Sequence, residues 1–462
     1  VRPICFLLFL IGNAYFTVFA QSISDIKDLD WETCMREATI GNPDLSIARA
    51  ELEKSVFENR KAYANFVPQI NAIGSFRRSE NLLQNSTSNN TDPLVAAIRN
   101  NQNSTNNSGN NLNNQDPSVL RIGENTGPFD RFSIGLSADQ NLFAGLKDVG
   151  ELDRTSSIVR VNQKILEDTK LRVSFELSSA FSQTLYAQAL MDLSKIIYDR
   201  RIMNRNMVKL RYEGGREHKG SYLLSEAAVG QAKFELEQAE RLWQTNSAEL
   251  FRVMGRDYNK PIRVIGALET PTPPNRPNMT KIAETHPQVQ QEQARVKAAQ
   301  AGINIADSQF YPSLGWNASV SQQDEKWLPN PRSYSIGVSV TYPLFAGGRD
   351  YYNSKIARKE MERTRHQLQK TKNQLTATLE QTFQNFITTS DNVAVLANFF
   401  EAAETRAKIA RAQYSNGLLP FENWDIIESD LIQRQRSLLA GRRDAKIAEA
   451  NWLRNSGQNL LP

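Results

Sequence analysis

Residues 342–350 read YPLFAGGRD, and residues 140–148 read QNLFAGLKD. The shared LFAG cores lie 202 positions apart, since 344 − 142 = 202. The same offset carries Tyr212 onto Tyr414, Gly215 onto Gly417, Glu226 onto Glu428, Arg241 onto Arg443 and Gly255 onto Gly457. A spacing held across so much chain marks an internal duplication, and it decides the architecture before any single element does. Upstream the offset changes to 244: Asn42-Pro43 falls on His286-Pro287, and Phe66-Val67-Pro68 falls on Phe310-Tyr311-Pro312. The first copy therefore carries an insertion of 244 − 202 = 42 residues between Pro68 and Phe132. The Asn-, Ser- and Gln-rich run at 80–117 has that place and about that length. It holds too little apolar surface to fold alone, and reads as a long exposed loop within 80–130.

Each copy follows one order: helix, strand, loop, strand, long helix, tight turn, returning helix. The first helices are expected at 31–64 and 279–309, the long ones at 150–212 and 352–414, and the returning ones at 222–255 and 424–456. Leu368, Leu375, Leu379, Phe383 and Phe386 recur at helical spacing and read as core between neighbouring helices. At about 1.5 Å per residue the long helices reach roughly 93 Å, and each pairs with two short ones stacked end to end. The Pro-rich, irregular segment 258–278 is then a connector near mid-height, separating a first repeat at 30–257 from a second at 279–459.

The strand pairs carry the functional information. Tyr334, Ile336, Val338, Val340 and Tyr342 alternate with Ser335, Gly337, Ser339 and Thr341. Phe132, Ile134, Leu136 and Ala138 alternate with Ser133, Gly135, Ser137 and Asp139, and Leu314, Trp316, Ala318 and Val320 do the same; 69–76 alternates less cleanly. An apolar face opposite a small polar face fits a membrane barrel wall or a soluble sandwich. Strands near the membrane-spanning length of about 9–11 residues favour the barrel. Aromatics at strand ends (Phe76, Phe132, Trp327, Tyr334, Tyr342) point the same way. Four strands cannot close a barrel, so that reading requires several chains.

Composition sets the bounds. The 462 residues are 23% charged with a net charge of only +5, and no basic block interleaved with aromatics marks a nucleic-acid site. Residues 1–20 read as a secretory signal peptide, with Val18 and Ala20 at the cleavage site. Its removal leaves Cys34 alone, a packed residue with no disulfide partner. No other segment is apolar enough for a membrane helix. His218, His286 and His366 are isolated, and no phosphate loop or nucleophile elbow occurs, so neither catalysis, metal binding nor a cofactor is expected.

The doubled order, Asn-Pro or His-Pro before a helix (42–43 and 286–287), Phe-x-Pro before a strand, LFAGG closing the second strand and Tyr-x-x-Gly at the helical turn resemble the TolC-like outer-membrane efflux protein family over about 30–460. The resemblance implies a mainly α protein with a membrane β-barrel. It implies a homotrimer whose chains give four strands each to a 12-stranded barrel in outer-membrane lipid, on a long α-helical tunnel in the periplasm of a Gram-negative-type bacterium. Its function would be the exit duct of a tripartite efflux or type I secretion system, partnered by a periplasmic adaptor and an inner-membrane transporter. A periplasmic coiled-coil adaptor is the alternative, although adaptors carry one helical hairpin rather than two alternating with strand pairs. By the same resemblance Asp425, Glu428 and Glu422 are gate or constriction candidates, with capping of the helix start as the competing role. The turns at Gly215, Arg216, Lys219, Gly417 and Leu418 would meet the adaptor. Gly145, Gly347 and Gly348 would form the joints between barrel and tunnel. The second turn, 414–430, is longer than the family's common form.

Overall fold

The computed structural model describes residues 28–79, 129–324, 327 and 332–461. The expected signal peptide and the Asn-rich loop lie outside the described residues. The helices are α1 (Trp31–Gly41), α2 (Pro43–Ala62), α3 (Lys147–Glu213), α4 (Lys219–Met254), α5 (Met279–Thr285), α6 (Pro287–Asp307), α7 (Arg349–Ser415) and α8 (Phe421–Asn455). The strands are β1 (Asp28–Leu29), β2 (Gln69–Ser79), β3 (Phe129–Ala144), β4 (Arg263–Val264), β5 (Ser313–Asp324) and β6 (Arg332–Thr341). α3 and α7 each run 67 residues and start 202 positions apart, as do α4 and α8.

Two compact units emerge: Val1–Asn59 with Leu152–Ile303 and Lys355–Pro462, and Arg60–Glu151 with Asn304–Ser354. The first is helical. One of its cores gathers Leu29, Cys34, Leu45, Leu177, Leu250, Met254, Val264 and Leu461, so connector and C-terminal segment pack onto α1, α3 and α4. Another gathers Leu375, Leu379, Phe383 and Phe386 with Val289 and Trp452, and Leu368 packs against it, which is the stripe expected on α7. Cys34 is a free, buried cysteine; burial, then the Glu37 carboxylate, push its thiol up to about 12.

Two expectations need correction. The first helical region is not one helix but two in each repeat, broken at Asn42-Pro43 and at His286-Pro287. Proline has no N–H for the preceding turn and pushes the residue before it out of the helical region; Asn42 has ψ 123° and His286 has ψ 140°. Asn42 then caps α2 by accepting from the Asp44 N–H at 2.9 Å, and His286 Nδ1 accepts from Gln288 N–H at 3.2 Å. The connector is also not wholly irregular, because Arg263–Val264 pairs in parallel with Asp28–Leu29.

The second unit holds an antiparallel sheet in the order β2-β3-β5-β6. Register sorts the side chains into faces, because alternate residues of a strand point to opposite sides. Ile70, Ala72 and Phe76 line up with Ala138, Leu136 and Phe132; these continue to Ala318 and Val320, and on to Ile336 and Tyr334. The opposite face carries Ser75, Ser133, Ser137, Ser319, Ser321, Ser333 and Ser335. Hydroxyl pairs join it across strands, Ser75 to Ser133 at 2.7 Å and Ser319 to Ser335 and Ser321 to Ser333 at 2.9 Å. Ile73, opposite Gly135, is an apolar interruption of this face. β3 runs on through the LFAG motif, with a bulge between Asn141 and Phe143 that leaves Leu142 unpaired and aligns Phe143 with Leu314.

Candidate functional site

Two helical turns related by the duplication form the first candidate region. α3 ends with Gly215 at φ 67°, and α7 ends with Gly417 at φ 78°. In each, the glycine N–H bonds the carbonyl three residues back and the next N–H bonds the carbonyl five back: Gly215 to Tyr212 and Arg216 to Arg211, Gly417 to Tyr414 and Leu418 to Gln413. This Schellman geometry needs a left-handed residue, which glycine adopts without a Cβ penalty. Gly215, Arg216, Lys219, Gly417 and Leu418 are all exposed, with Leu418 at 77%.

The turns are tied together by Tyr414, which is fully buried. Its ring stacks on Trp424 at 4.2 Å, its hydroxyl donates to Glu217 at 3.1 Å, and its carbonyl accepts from Arg211 Nη1 at 2.8 Å. Burial, then the Glu217 carboxylate, push the phenol well above its ordinary range, so it stays a hydrogen-bond donor. His218 opens α4: its Nδ1 accepts from Ser221 N–H at 3.2 Å, which leaves Nε2–H to point at Glu422, 3.4 Å away. Glu422 is held below the usual carboxylate range by its own backbone N–H and then by His218.

The three candidate acids have three different environments. Glu422 is exposed beside His218. Asp425 forms a 2.7 Å ion pair with Arg201 on α3, and Arg201 Nη2 also reaches Ser429 at 3.0 Å. Glu428 is only 1% exposed and pairs with Arg411 on α7 at 2.6 Å. Within the chain Glu428 is the buried counter-ion of Arg411. Arg200 stands near it, and burial lowers the Arg200 pKa, with Glu428 opposing that shift. Glu226, one repeat earlier, is exposed and accepts from Tyr222 at 2.7 Å. The sequence showed the acids but not Arg201, Arg411 or Tyr414 as their partners. The doubled Tyr-x-x-Gly was a signal for Tyr414; nothing in spacing pointed to the arginines.

The second candidate region lies in the sheet unit, at the two LFAG motifs. Gly145 and Leu146 both adopt positive φ, 62° and 68°; Gly347 and Gly348, their equivalents, adopt 65° and 82°. Two left-handed residues in succession turn the chain from strand into helix. A Cβ on Gly145 would lie 2.4 Å from the Ser308 carbonyl oxygen, whereas one on Gly347 would meet nothing within 4 Å. Among the described residues no group of three or more His, Cys, Asp or Glu is placed to hold a metal ion, and no helix is long and apolar enough to cross a membrane.

Residues 279–456, most of the second repeat, match the family model described as outer membrane efflux protein. The first repeat carries the same elements in the same register. The second repeat is thus similar to the outer membrane efflux proteins. The outer membrane efflux protein BepC of Brucella suis is 19% identical over 331 residues, covering 71% of this chain and 72% of its own. Protein CyaE of Bordetella pertussis is 27% identical over 164 residues, 33% of this chain and 34% of its own. The fold also matches the CmeC outer membrane channel of Campylobacter jejuni (TM-score 0.76, 13% identity, 93% of this chain and 85% of that one). The open-state MtrE outer membrane channel of Neisseria gonorrhoeae matches as well (TM-score 0.75, 15% identity, 95% and 94%).

Proposed function

We propose that this chain is the outer-membrane exit duct of a tripartite efflux or type I secretion system. It works as a homotrimer, receives cargo from an inner-membrane transporter and docks a periplasmic adaptor at its helical turns. The observation that carries this reading is the sheet. Its apolar face exposes Ile70, Phe76, Leu136, Ile336, Val338 and Val340, while its opposite face is a hydroxyl ladder. Such a sheet is stable with lipid on one side and water on the other, provided its edges are paired. An adaptor role is disfavoured because, among the described residues, that face has no core to enter. Within the duct, Asp425 and Glu422 are the acids available to a constriction. Glu428 supports them from inside the helix packing, and the exposed Arg216, Lys219 and Leu418 meet the adaptor.

The test is fractionation followed by planar-bilayer recording. An outer-membrane oligomer that migrates differently before and after boiling, and that conducts in a bilayer, is the expected result. Release by alkali with no detergent-stable oligomer would sink the duct.

A further inference from the structure

The hydroxyl face of the sheet holds three charged side chains among the described residues: Asp139, Arg77 and Arg131. All three are exposed. Asp139 lies at the end joined to the helices, opposite Gln69. Arg77 and Arg131 lie directly opposite one another towards the other end. Asp139 and Arg131 are 139 − 131 = 8 residues apart on β3, about 27 Å at roughly 3.4 Å per residue. Between them this face carries amides and hydroxyls, among them Asn71, Ser75, Ser133, Ser137 and Asn317.

Two like charges directly opposite on neighbouring strands destabilise a sheet, and the duplication shows that the fold does not require them. Raising β2 by 244 and β3 by 202 converts the β2–β3 register into the β5–β6 register: Ser75↔Ser133 becomes Ser319↔Ser335, and Arg77↔Arg131 becomes Ser321↔Ser333. The first of these keeps its hydroxyl bond in both repeats. The second does not keep its chemistry. Ser321 and Ser333 share a 2.9 Å hydrogen bond, whereas the first repeat sets two cations in that place. The Arg77 side chain makes no hydrogen bond or ion pair among the described residues. On the opposite, apolar face the nearby charges include both signs. Arg78 lies 3.8 Å from Asp130 there, and Asp324 and Arg332 share that side.

We propose that Arg77 and Arg131 form an oxyanion-binding site on the inner wall of the duct, near its outer mouth, that favours cargo carrying carboxylate, sulfonate or phosphate groups. This deepens the exit-duct reading and rests on it, because only in a closed barrel does the hydroxyl face enclose water. Each copy in the homotrimer adds two guanidinium groups, and rings of arginine select anions in pores. Directly opposite residues have Cβ atoms about 4.5–5.5 Å apart, so both guanidinium forks can close on one oxyanion and hold it by charge-assisted hydrogen bonds. A bound anion also removes the repulsion that the empty pair carries. Strand alternation points Arg78 to the lipid side and Arg77 to the water side. Headgroup phosphates therefore meet Arg78 with its acid partner, and dissolved anions meet Arg77 and Arg131.

Planar-bilayer recording of the purified oligomer tests this, with inorganic sulfate as the probe. Sulfate added at constant ionic strength should lower the potassium chloride conductance of the parent. Arg77→Ser with Arg131→Ser, which installs the second repeat's pair, should need about tenfold more sulfate for the same loss. The chloride-to-potassium permeability ratio, read from the reversal potential under a salt gradient, should fall severalfold in that variant. Arg77→Lys with Arg131→Lys should keep the ratio but lose most of the sulfate block, because an ammonium lacks the planar fork. Arg78→Ser, on the other face, should change neither reading. If the double serine variant does not assemble, Arg77→Gln alone should shift both readings in the same direction. Equal sulfate sensitivity and equal reversal potential in a conducting parent and a conducting variant would overturn the anion site and leave the duct standing. A parent oligomer that does not conduct would overturn both.

Discussion

Arg201 Nη1 lies 2.7 Å from Asp425 Oδ1, so a salt bridge joins α3 of the first repeat to α8 of the second. Both side chains are mostly shielded, 12% and 28% exposed, which sets this pair apart from the many surface pairs along single helices. Asp425→Asn keeps the shape and leaves a mostly shielded guanidinium short of its partner, a cost of about 1–3 kcal/mol. We expect Asp425→Asn and Arg201→Gln each to raise bilayer conductance several-fold, and the double variant to add little to either. Unchanged conductance in both single variants would mean the bridge does not hold the duct shut.

Glu428 and Glu226 occupy equivalent positions with opposite consequences. Removing a buried partner strands charge, at about 3 kcal/mol or more where the survivor is buried; Arg411 is part-exposed, so Glu428→Ala should fall at the lower end. Glu428→Gln should be milder, and Glu226→Ala should lie within about 0.5 kcal/mol of the parent. Thermal unfolding followed by circular dichroism in detergent ranks the three; a Glu226→Ala loss equal to that of Glu428→Ala would contradict the burial argument.

At the joints, the two repeats solve one backbone problem with different residues. Leu146 holds φ 68° where the second repeat has Gly348. Left-handed backbone costs an L-residue about 1–2 kcal/mol, so Leu146→Gly should recover part of that. Gly145→Val should do far more harm than Gly347→Val, because only the first drives a Cβ into the Ser308 carbonyl. The boiling temperature needed to dissociate the oligomer reads all three; equal effects at Gly145 and Gly347 would show that the Ser308 approach gives way.

Acid should weaken the helix break at His286. Burial lowers the pKa of His286 below the ordinary imidazole value. The unfolded chain then binds the proton more readily than the folded one, so stability is full above the unfolded pKa, about 6.5, and falls as pH drops towards the folded value. His286→Asn places there the residue that Asn42 provides in the first repeat, and should flatten that slope between pH 7 and 5 while leaving stability at pH 8 nearly unchanged. A slope of the same size in the variant would assign the acid sensitivity elsewhere.

Much of this was legible in the chain. The two offsets located the duplication, because an insertion shifts spacing without erasing it. Gly215 and Gly417 stood at helix ends because a Schellman turn demands a residue free of Cβ strain. The alternation in 132–138, 314–320 and 334–342 separated the two faces of the sheet, since strand geometry has a period of two whatever the neighbours are. Asn42-Pro43 and His286-Pro287 read as helix starts in the sequence, and α2 and α6 begin there; what the longer helical pattern hid was the separate helix before each.

What the sequence by itself determined was therefore everything set by local period and local backbone chemistry: the repeats, the helix and strand segments, the caps, the lipid-like and water-like faces. Only the tertiary structure decided which acids are free. Asp425 meets Arg201 across 224 positions of chain, and Glu428 is buried where its twin Glu226 is exposed. No periodicity encodes those partners, because each depends on which helix the packed unit sets beside another. The same holds for Gly145, whose need for hydrogen in place of a side chain comes from the Ser308 carbonyl, a neighbour that exists only once strand and helix have folded together.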